Sequence, residues 1–182
     1  MVLIFMPKNP LIKTRFHNGN IETETSDQAR DLFETSRYGV LKGQKVNLAI
    51  TEAVYLLEKE KIEIYDGRNH KLTYEELIKK AIKQQPDFFI RYSVFKNLRE
   101  RGYIVKTALK FGADFRVYER GVKPGEDHAK WVVFPVYETK ALTWYDFSAK
   151  NRVAHSTKKR LLIGVVDDED DVSYWECKWI RP

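Results

Sequence analysis

The polar tetrapeptide Gln84–Asp87 divides the sequence into two parts. Pro86 interrupts a helical pattern of apolar residues there, which is typical of a boundary between domains. The residues before it predict a small mixed unit, and those after it predict strands that alternate with helices. We therefore expect a protein of the α/β (α+β) class, with an amino-terminal mixed domain over residues 1–85. A second domain over residues 86–182 should have a mixed central sheet flanked by helices.

Two signals in the first part predict where its helices begin. Asn47 is placed to cap a helix that runs to about Glu60. The stretch Thr73–Glu76 has the spacing of a capping box in front of a second helix. Residues 1–40 are predicted as short strands and turns, with one turn at Asn18–Asn20.

The second part begins with apolar residues at helical spacing, which predict a helix from Phe88 to near Gly102. The strands predicted after it are Tyr103–Val105, Phe115–Tyr118, Trp131–Tyr137, Leu161–Val166 and Val172–Ile180. A further helix is predicted over Leu142–Val153, between the third and fourth of these strands. This alternation is the reason to expect helices packed on a mixed sheet.

The composition argues against several classes of protein. The 182 residues include 32 Lys and Arg and 26 Asp and Glu, a formal net charge of +6, and 43% of them are hydrophobic. Such a chain can bury a core, which argues against a disordered protein. The single cysteine, Cys177, excludes an internal disulfide framework and fits a reducing, cytoplasmic compartment. No stretch reaches the length of a membrane span, so we expect no membrane partner.

Four histidines are candidates for proton transfer. His17 and His70 lie in predicted turns beside asparagines, where a surface role is usual. His155 follows a predicted helix end, where a cation offsets the helix dipole. His128 lies in the polar loop Gly125–Ala129 before a predicted strand, and loops on a rigid scaffold often carry function. His128 is therefore the candidate for catalysis.

Charged runs and one tyrosine are the other candidates. Tyr118 ends a predicted strand, where a core or interface role is the usual alternative to catalysis. The basic residues Arg152 and Lys158–Arg160 are either a solvated patch or contacts to phosphate groups. The acidic run Asp167–Asp171 lacks the ligand spacing of an EF-hand. It is either a solvated turn or a surface that docks on a basic partner.

Tyrosine, histidine and lysine suit one reaction class. RNA carries its own nucleophile, the 2′-hydroxyl group, so an enzyme needs a base to take that proton and an acid for the leaving 5′-oxygen. It also needs a cation for the charge that develops on phosphorus. Such a set works without a metal ion or another cofactor.

Five segments together resemble the archaeal tRNA-intron endonucleases. These segments are Asn47–Leu57, Asn97–Thr107, Lys110–Tyr118, Asp127–Ala129 and Arg152–Leu162. They follow one another in the family's order within residues 38–182, whereas residues 1–37 match poorly. The resemblance implies a tRNA-splicing endonuclease with a carboxy-terminal nuclease domain.

The resemblance also implies a role for each catalytic candidate. Tyr118 would be the general base, His128 the general acid and Lys159 the cation that stabilises the phosphorane. Lys158 is the rival for the last role. Lys159 is preferred because one basic residue, here Arg160, follows the lysine in the family before two leucines begin the strand. The substrate implied is precursor tRNA with a bulge–helix–bulge, cut to a 2′,3′-cyclic phosphate and a 5′-hydroxyl.

Two further sites follow from the resemblance. Arg152 would clamp bases that are flipped out of the bulges, and Trp179 would replace the arginine that some members use as the second clamp residue. The acidic loop would dock on a neighbouring dimer through Asp167, Asp168, Asp170 and Asp171. A homotetramer, a dimer of dimers, is therefore expected.

Two other functions stay open at this point. A structural subunit of the same family would assemble without catalysing, although the joint presence of Tyr118, His128 and Lys159 argues against it. A plain RNA-binding module would use Arg152, the basic stretch and the aromatic residues without cutting RNA. A cleavage assay in chelator separates these possibilities from a nuclease.

Overall fold

A computed structural model describes residues 10–17, 19–122, 125 and 128–180. The chain divides between Lys79 and Lys80 into two compact units, each with its own mixed sheet. The predicted α/β class is therefore confirmed. The predicted domain boundary, Gln84–Asp87, lies a few residues further along the chain and stays a prediction.

The first unit contains a five-stranded sheet with the order β3-β4-β2-β1-β5. Only β1 and β5 are parallel. The elements are β1 (Ile12–His17), β2 (Asn20–Thr23), α1 (Asp27–Glu34), β3 (Val40–Lys42), β4 (Lys45–Leu48), α2 (Ile50–Glu58) and β5 (Ile62–Tyr65), followed by α3 (Tyr74–Gln84). The turn predicted at Asn18–Asn20 joins β1 to β2, and Asn18 itself lies outside the described residues.

Helix α1 lies in a region predicted to contain only strands and turns. Its start is fixed by Ser26, whose hydroxyl accepts a hydrogen bond from the amide of Ala29 at 3.1 Å. Serine at this position satisfies one of the amide groups that a helix leaves unpaired at its first turn. The prediction for residues 1–40 was wrong at this helix because its apolar face is short, with only Ala29 and Leu32 buried.

Asn47 does not cap helix α2, contrary to the sequence prediction. It lies in strand β4, and the helix begins after Ala49. The buried carboxylate of Glu52 replaces a capping side chain, because it accepts hydrogen bonds from the amides of Ala49 at 2.9 Å and of Gly39 at 3.0 Å. Gly39 has a φ of 65°, and an added Cβ would lie 2.4 Å from Val46, so only glycine fits there.

The capping box predicted at Thr73 is confirmed. The Thr73 hydroxyl accepts from the amide of Glu76 at 3.2 Å, and the Glu76 carboxylate accepts from the amide of Thr73 at 2.9 Å. These reciprocal bonds fix the first turn of α3. None of the helices in the described part of the chain combines the length and the apolar character that crossing a membrane requires.

The second unit contains a five-stranded sheet with the order β10-β9-β8-β7-β6. Its elements are α4 (Phe88–Glu100), β6 (Ile104–Thr107), a 3₁₀ turn (Leu109–Phe111), β7 (Phe115–Tyr118), β8 (Trp131–Tyr137), α5 (Trp144–Ser156), β9 (Arg160–Val166) and β10 (Val172–Cys177). Strands β8 and β9 are parallel and are joined through α5, whereas the other pairs are antiparallel. Strand β10 ends at Cys177, earlier than predicted.

The two faces of this sheet are covered by different helices. On one face the ring of Phe115 packs against Phe95 of α4 at 5.8 Å between centroids. Gly164 lies on that face, where an added Cβ would be 2.9 Å from a methyl group of Val94. On the other face Val132 and Leu161 form a core with Ala154 of α5. Because strand side chains alternate, the sequence decides residue by residue which helix each one faces.

Candidate active site

Two backbone hydrogen bonds align three strands at one end of the second sheet. The amide of Lys130 donates to the carbonyl of Val117, and the amide of Arg160 donates to the carbonyl of Lys130, both at 2.9 Å. Tyr118 ends β7, His128 precedes β8 and Lys159 precedes β9. Neighbouring strands lie roughly 4.8 Å apart. The backbone therefore brings these three residues, which are distant in sequence, to the same end of the sheet. This end is called the edge.

Tyr118 is held firmly at this edge. Only 4% of it is exposed, so its ring has little rotational freedom. Register places Arg116 opposite Val132, on the face covered by α5, and Tyr118 shares that face because it lies two residues further along the strand. The guanidinium carbon of Arg116 lies 6.0 Å from the centre of the Tyr118 ring.

Lys159 lies half-buried on the same face. Its ammonium donates to the carbonyl of Thr157 at 2.9 Å and lies 5.9 Å from the centre of the Phe111 ring. Burial lowers the pKa of Lys159, and the positive charge of Arg116 lowers it further. Its neighbour Lys158 is exposed and adopts a left-handed φ of 55° directly after α5. The two lysines therefore have different surroundings.

The opposite face at this end of the sheet carries a polar network. The indole of Trp131 donates to the carboxylate of Glu176 at 2.6 Å, and Arg160 donates to the same carboxylate at 2.9 Å. These donors lower the pKa of Glu176, the indole hydrogen bond having the largest effect. The Trp131 ring also contacts Tyr103. Tyr118 and Lys159 thus share the face that carries α5, away from this network.

A cavity of about 490 Å³ adjoins this edge. Its walls are Ser148, Asn151, Arg152, His155, Ser156 and Trp179. The rings of His155 and Trp179 lie 4.6 Å apart and are tilted by 71°. A second cavity of about 100 Å³ is lined by Asn151, His155 and Trp179 together with Lys159. The structure therefore places Arg152 and Trp179 beside the larger cavity, and Lys159 lines the smaller one.

The other two histidines lie in the first unit. His17 ends β1 opposite Asn20, and His70 follows a turn with its Nδ1 atom 4.0 Å from the Glu76 carboxylate. His128 is exposed at the edge described above. His155 lies within the last turn of α5, and its contact with Trp179 was not predicted. A histidine three residues after Arg152 on a helix lies on the same helix face, which was the signal available in the sequence.

The acidic loop between β9 and β10 is organised by its own residues. One oxygen of Asp167 accepts hydrogen bonds from the amides of Glu169 at 3.1 Å and of Asp171 at 2.8 Å. Asp170 has a left-handed φ of 64°, and its carboxylate accepts from the hydroxyl of Ser93 at 3.3 Å. Asp168 is exposed. Asp167 and Asp170 therefore shape the loop, whereas Asp168 and Asp171 present charge outward.

Comparison with known proteins decides the family. Residues 12–78 match the model of the tRNA intron endonuclease N-terminal domain, and residues 88–174 match that of the catalytic C-terminal domain. The chain belongs to the tRNA intron endonuclease family. The predicted resemblance is thereby confirmed.

Individual relatives agree with this family assignment. The tRNA-splicing endonuclease of Nanoarchaeum equitans is 44% identical over 155 residues, covering 79% of this chain and 99% of that protein. That of Pyrococcus abyssi is 41% identical over 150 residues, covering 82% and 85%. That of Methanothermobacter thermautotrophicus is 39% identical over 154 residues, covering 85% and 89%. The activity of this endonuclease family is the cleavage of tRNA introns.

Proposed function

We propose that this endonuclease cuts precursor tRNA at bulge–helix–bulge junctions by attack of the 2′-hydroxyl group. The bond from the 2′-oxygen to phosphorus forms while the bond from phosphorus to the 5′-oxygen breaks. Tyr118, as phenolate, accepts the proton of the 2′-hydroxyl, and His128 gives a proton to the departing 5′-oxygen. Lys159 faces the negative charge that develops on phosphorus. The products carry a 2′,3′-cyclic phosphate and a 5′-hydroxyl.

The observation that carries this proposal is the alignment of three strand ends. In-line displacement needs a base and an acid on opposite sides of one phosphorus atom, with a cation beside it. Tyr118, His128 and Lys159 come from three adjacent strands of one sheet end, so a single phosphate could reach all of them. The fixed ring of Tyr118 supports a positioned base.

The larger cavity, which Arg152 and Trp179 line, suits a base that has left its helix. Trp179 is 49% exposed, and its ring and the guanidinium of Arg152 are flat groups on which a base can stack. The deep major groove of an RNA helix cannot be read by side chains, whereas splayed bases can be held. We therefore propose recognition by shape at the bulges. Cys177 fits the reducing cytoplasm, where we place the reaction.

A cleavage assay in excess EDTA tests this function. A prefolded precursor tRNA with a bulge–helix–bulge should be cut at its full rate, because the 2′-hydroxyl needs no metal-bound water as nucleophile. The same intron with both bulges paired is the matched control and should stay intact. Loss of cleavage that magnesium restores, with RNA folding monitored, would contradict the metal-independent mechanism. Retention of uncut RNA would identify a binding module or a structural subunit instead.

The substitution Lys158→Gly separates the two candidate lysines. A left-handed residue after a helix end favours glycine, so this change should raise the free energy of unfolding by about 1 kcal/mol. Cleavage should persist, because the exposed Lys158 is not the phosphate-facing cation in our proposal. Chemical denaturation and a cleavage assay on one preparation measure both effects. A stable Lys158→Gly protein that no longer cleaves would transfer the role to Lys158.

A further inference from the structure

Arg116 is a second cation on the face that carries Tyr118 and Lys159. Its guanidinium carbon lies 5.9 Å from the centre of the Phe111 ring, and the Lys159 ammonium lies 5.9 Å from the same ring. The guanidinium carbon of Arg116 also lies 6.0 Å from the centre of the Tyr118 ring. Two positive charges thus face one aromatic side chain beside the proposed base.

The guanidinium of Arg116 has few partners among the described residues. Arg116 lies in register with Lys106, a second basic residue of the sheet. The Nε atom of Arg116 is buried and, among the described residues, has no hydrogen-bond partner. Its two aromatic contacts lie at the outer limit of cation–π attraction. With no hydrogen bond or ion pair from the described residues at its guanidinium, Arg116 can bind an anion on this face.

The RNA substrate of the proposed function makes a phosphate group the anion that this face would meet. Lys159 and Arg116 influence each other electrostatically, since the charge of Arg116 contributes to the lowered pKa of Lys159. A guanidinium presents a planar fork of donors that matches two phosphate oxygens, which an ammonium group cannot do. Within the described residues, Arg116 forms no ion pair with a carboxylate that would compete.

We propose that Arg116 binds a non-bridging oxygen of the scissile phosphate and shares that phosphate with Lys159. The inference rests on the proposed function, because it takes Tyr118 and Lys159 as parts of the reaction centre. Lys159 would stabilise the developing charge, and Arg116 would also fix the orientation of the phosphate against Tyr118. Sequence reasoning missed this residue, although Arg116 lies two positions before Tyr118 and so shares its face.

Single-turnover cleavage by Arg116→Gln tests the assignment. The rate should fall about 10–100-fold, the scale of one charge-assisted hydrogen bond, and Arg116→Lys should recover only part of it. Arg120→Gln is the matched control, because it removes one charge close in sequence but its guanidinium lies over Tyr103, 5.0 Å from the ring centre. Arg120→Gln should cleave at the wild-type rate.

A phosphorothioate substrate gives a readout that a structural role would not change. Sulfur in place of one non-bridging oxygen should slow the wild type, and for one of the two diastereomers this slowing should largely disappear in Arg116→Gln. Arg120→Gln should keep both sulfur effects. Sulfur effects that are the same in all three proteins would overturn the proposal.

Thermal unfolding supplies the remaining control. Because Arg116 forms no ion pair with the described residues, Arg116→Gln should unfold within a few degrees of the wild type. A lower unfolding temperature together with full recovery of the rate in Arg116→Lys would assign Arg116 a packing role and overturn the proposal. If the wild type fails to cut the precursor, the proposed function fails. If the wild type and Arg116→Gln cut equally well, only the present inference fails.

Discussion

His128→Ala should cleave a bulge–helix–bulge precursor on the order of 10²–10⁴-fold more slowly than the unchanged chain. The 5′-oxygen is a poor leaving group as an alkoxide, so the proposed reaction depends on the proton that we assign to His128. His128 is exposed at the sheet edge, where its removal leaves no cavity in the core. Binding of an uncleavable 2′-deoxy substrate should therefore stay within a few-fold, as measured by filter binding.

Two other histidines provide matched controls. His17→Ala and His70→Ala remove the same side chain from the first unit, at a strand end and after a turn. Both variants should cleave at the wild-type rate. A His128→Ala enzyme with an unchanged single-turnover rate would remove His128 from the mechanism. A variant that has lost binding as well would indicate that the loop, rather than the acid, is affected.

Reversing the outward charges of the acidic loop should separate a tetramer into dimers. We expect the unchanged protein to form a homotetramer in which this loop docks on a basic groove of a neighbouring dimer. Asp168→Lys with Asp171→Lys removes the attraction and adds repulsion. The mass from light scattering at low salt should halve. Cleavage should fall on the order of 10²-fold, because misplaced sites lose alignment with the substrate.

The structure restricts which residues belong in that experiment. Asp167 accepts two amide hydrogen bonds and Asp170 accepts one from Ser93, so their substitution would change the loop itself. Glu24→Lys with Glu34→Lys is the control, since both glutamates are exposed in the first unit and the change in net charge is the same. That control should remain tetrameric. A wild-type dimer with full activity, or a tetrameric loop variant, would contradict the assembly.

The fold was predictable where local signals and the final structure coincide. The capping box at Thr73 depends on residues three apart, and the structure forms it as the sequence indicates. The start of α2 was not predictable in this way. Its cap is the Glu52 carboxylate, which also binds the amide of Gly39, so two parts of the chain must meet before that role becomes apparent.

The candidate site was likewise predictable from the sequence only in part. Tyr118 and Lys159 stand out as residue types at strand ends, which a linear reading can find. The role proposed for Arg116 depends on its register opposite Lys106 and on a ring contributed by Phe111. The contact of His155 with Trp179 likewise joins a helix to the segment after β10. Cross-strand and cross-element neighbours of this kind are set by tertiary structure.

The position of helix α5 bears on how correct and incorrect RNA substrates would be distinguished. Its last turns carry Arg152 and His155, and the chain reaches Lys159 through Thr157, whose hydroxyl bonds to the carbonyl of Val153 at 2.8 Å. Helix α5 therefore links the cavity proposed for the base to the ammonium that we propose faces the phosphate. A bulge base bound in that cavity would restrain α5, whereas an RNA without such a base would not. Selectivity between correct and incorrect RNAs would then reside in the speed of cutting more than in the strength of binding.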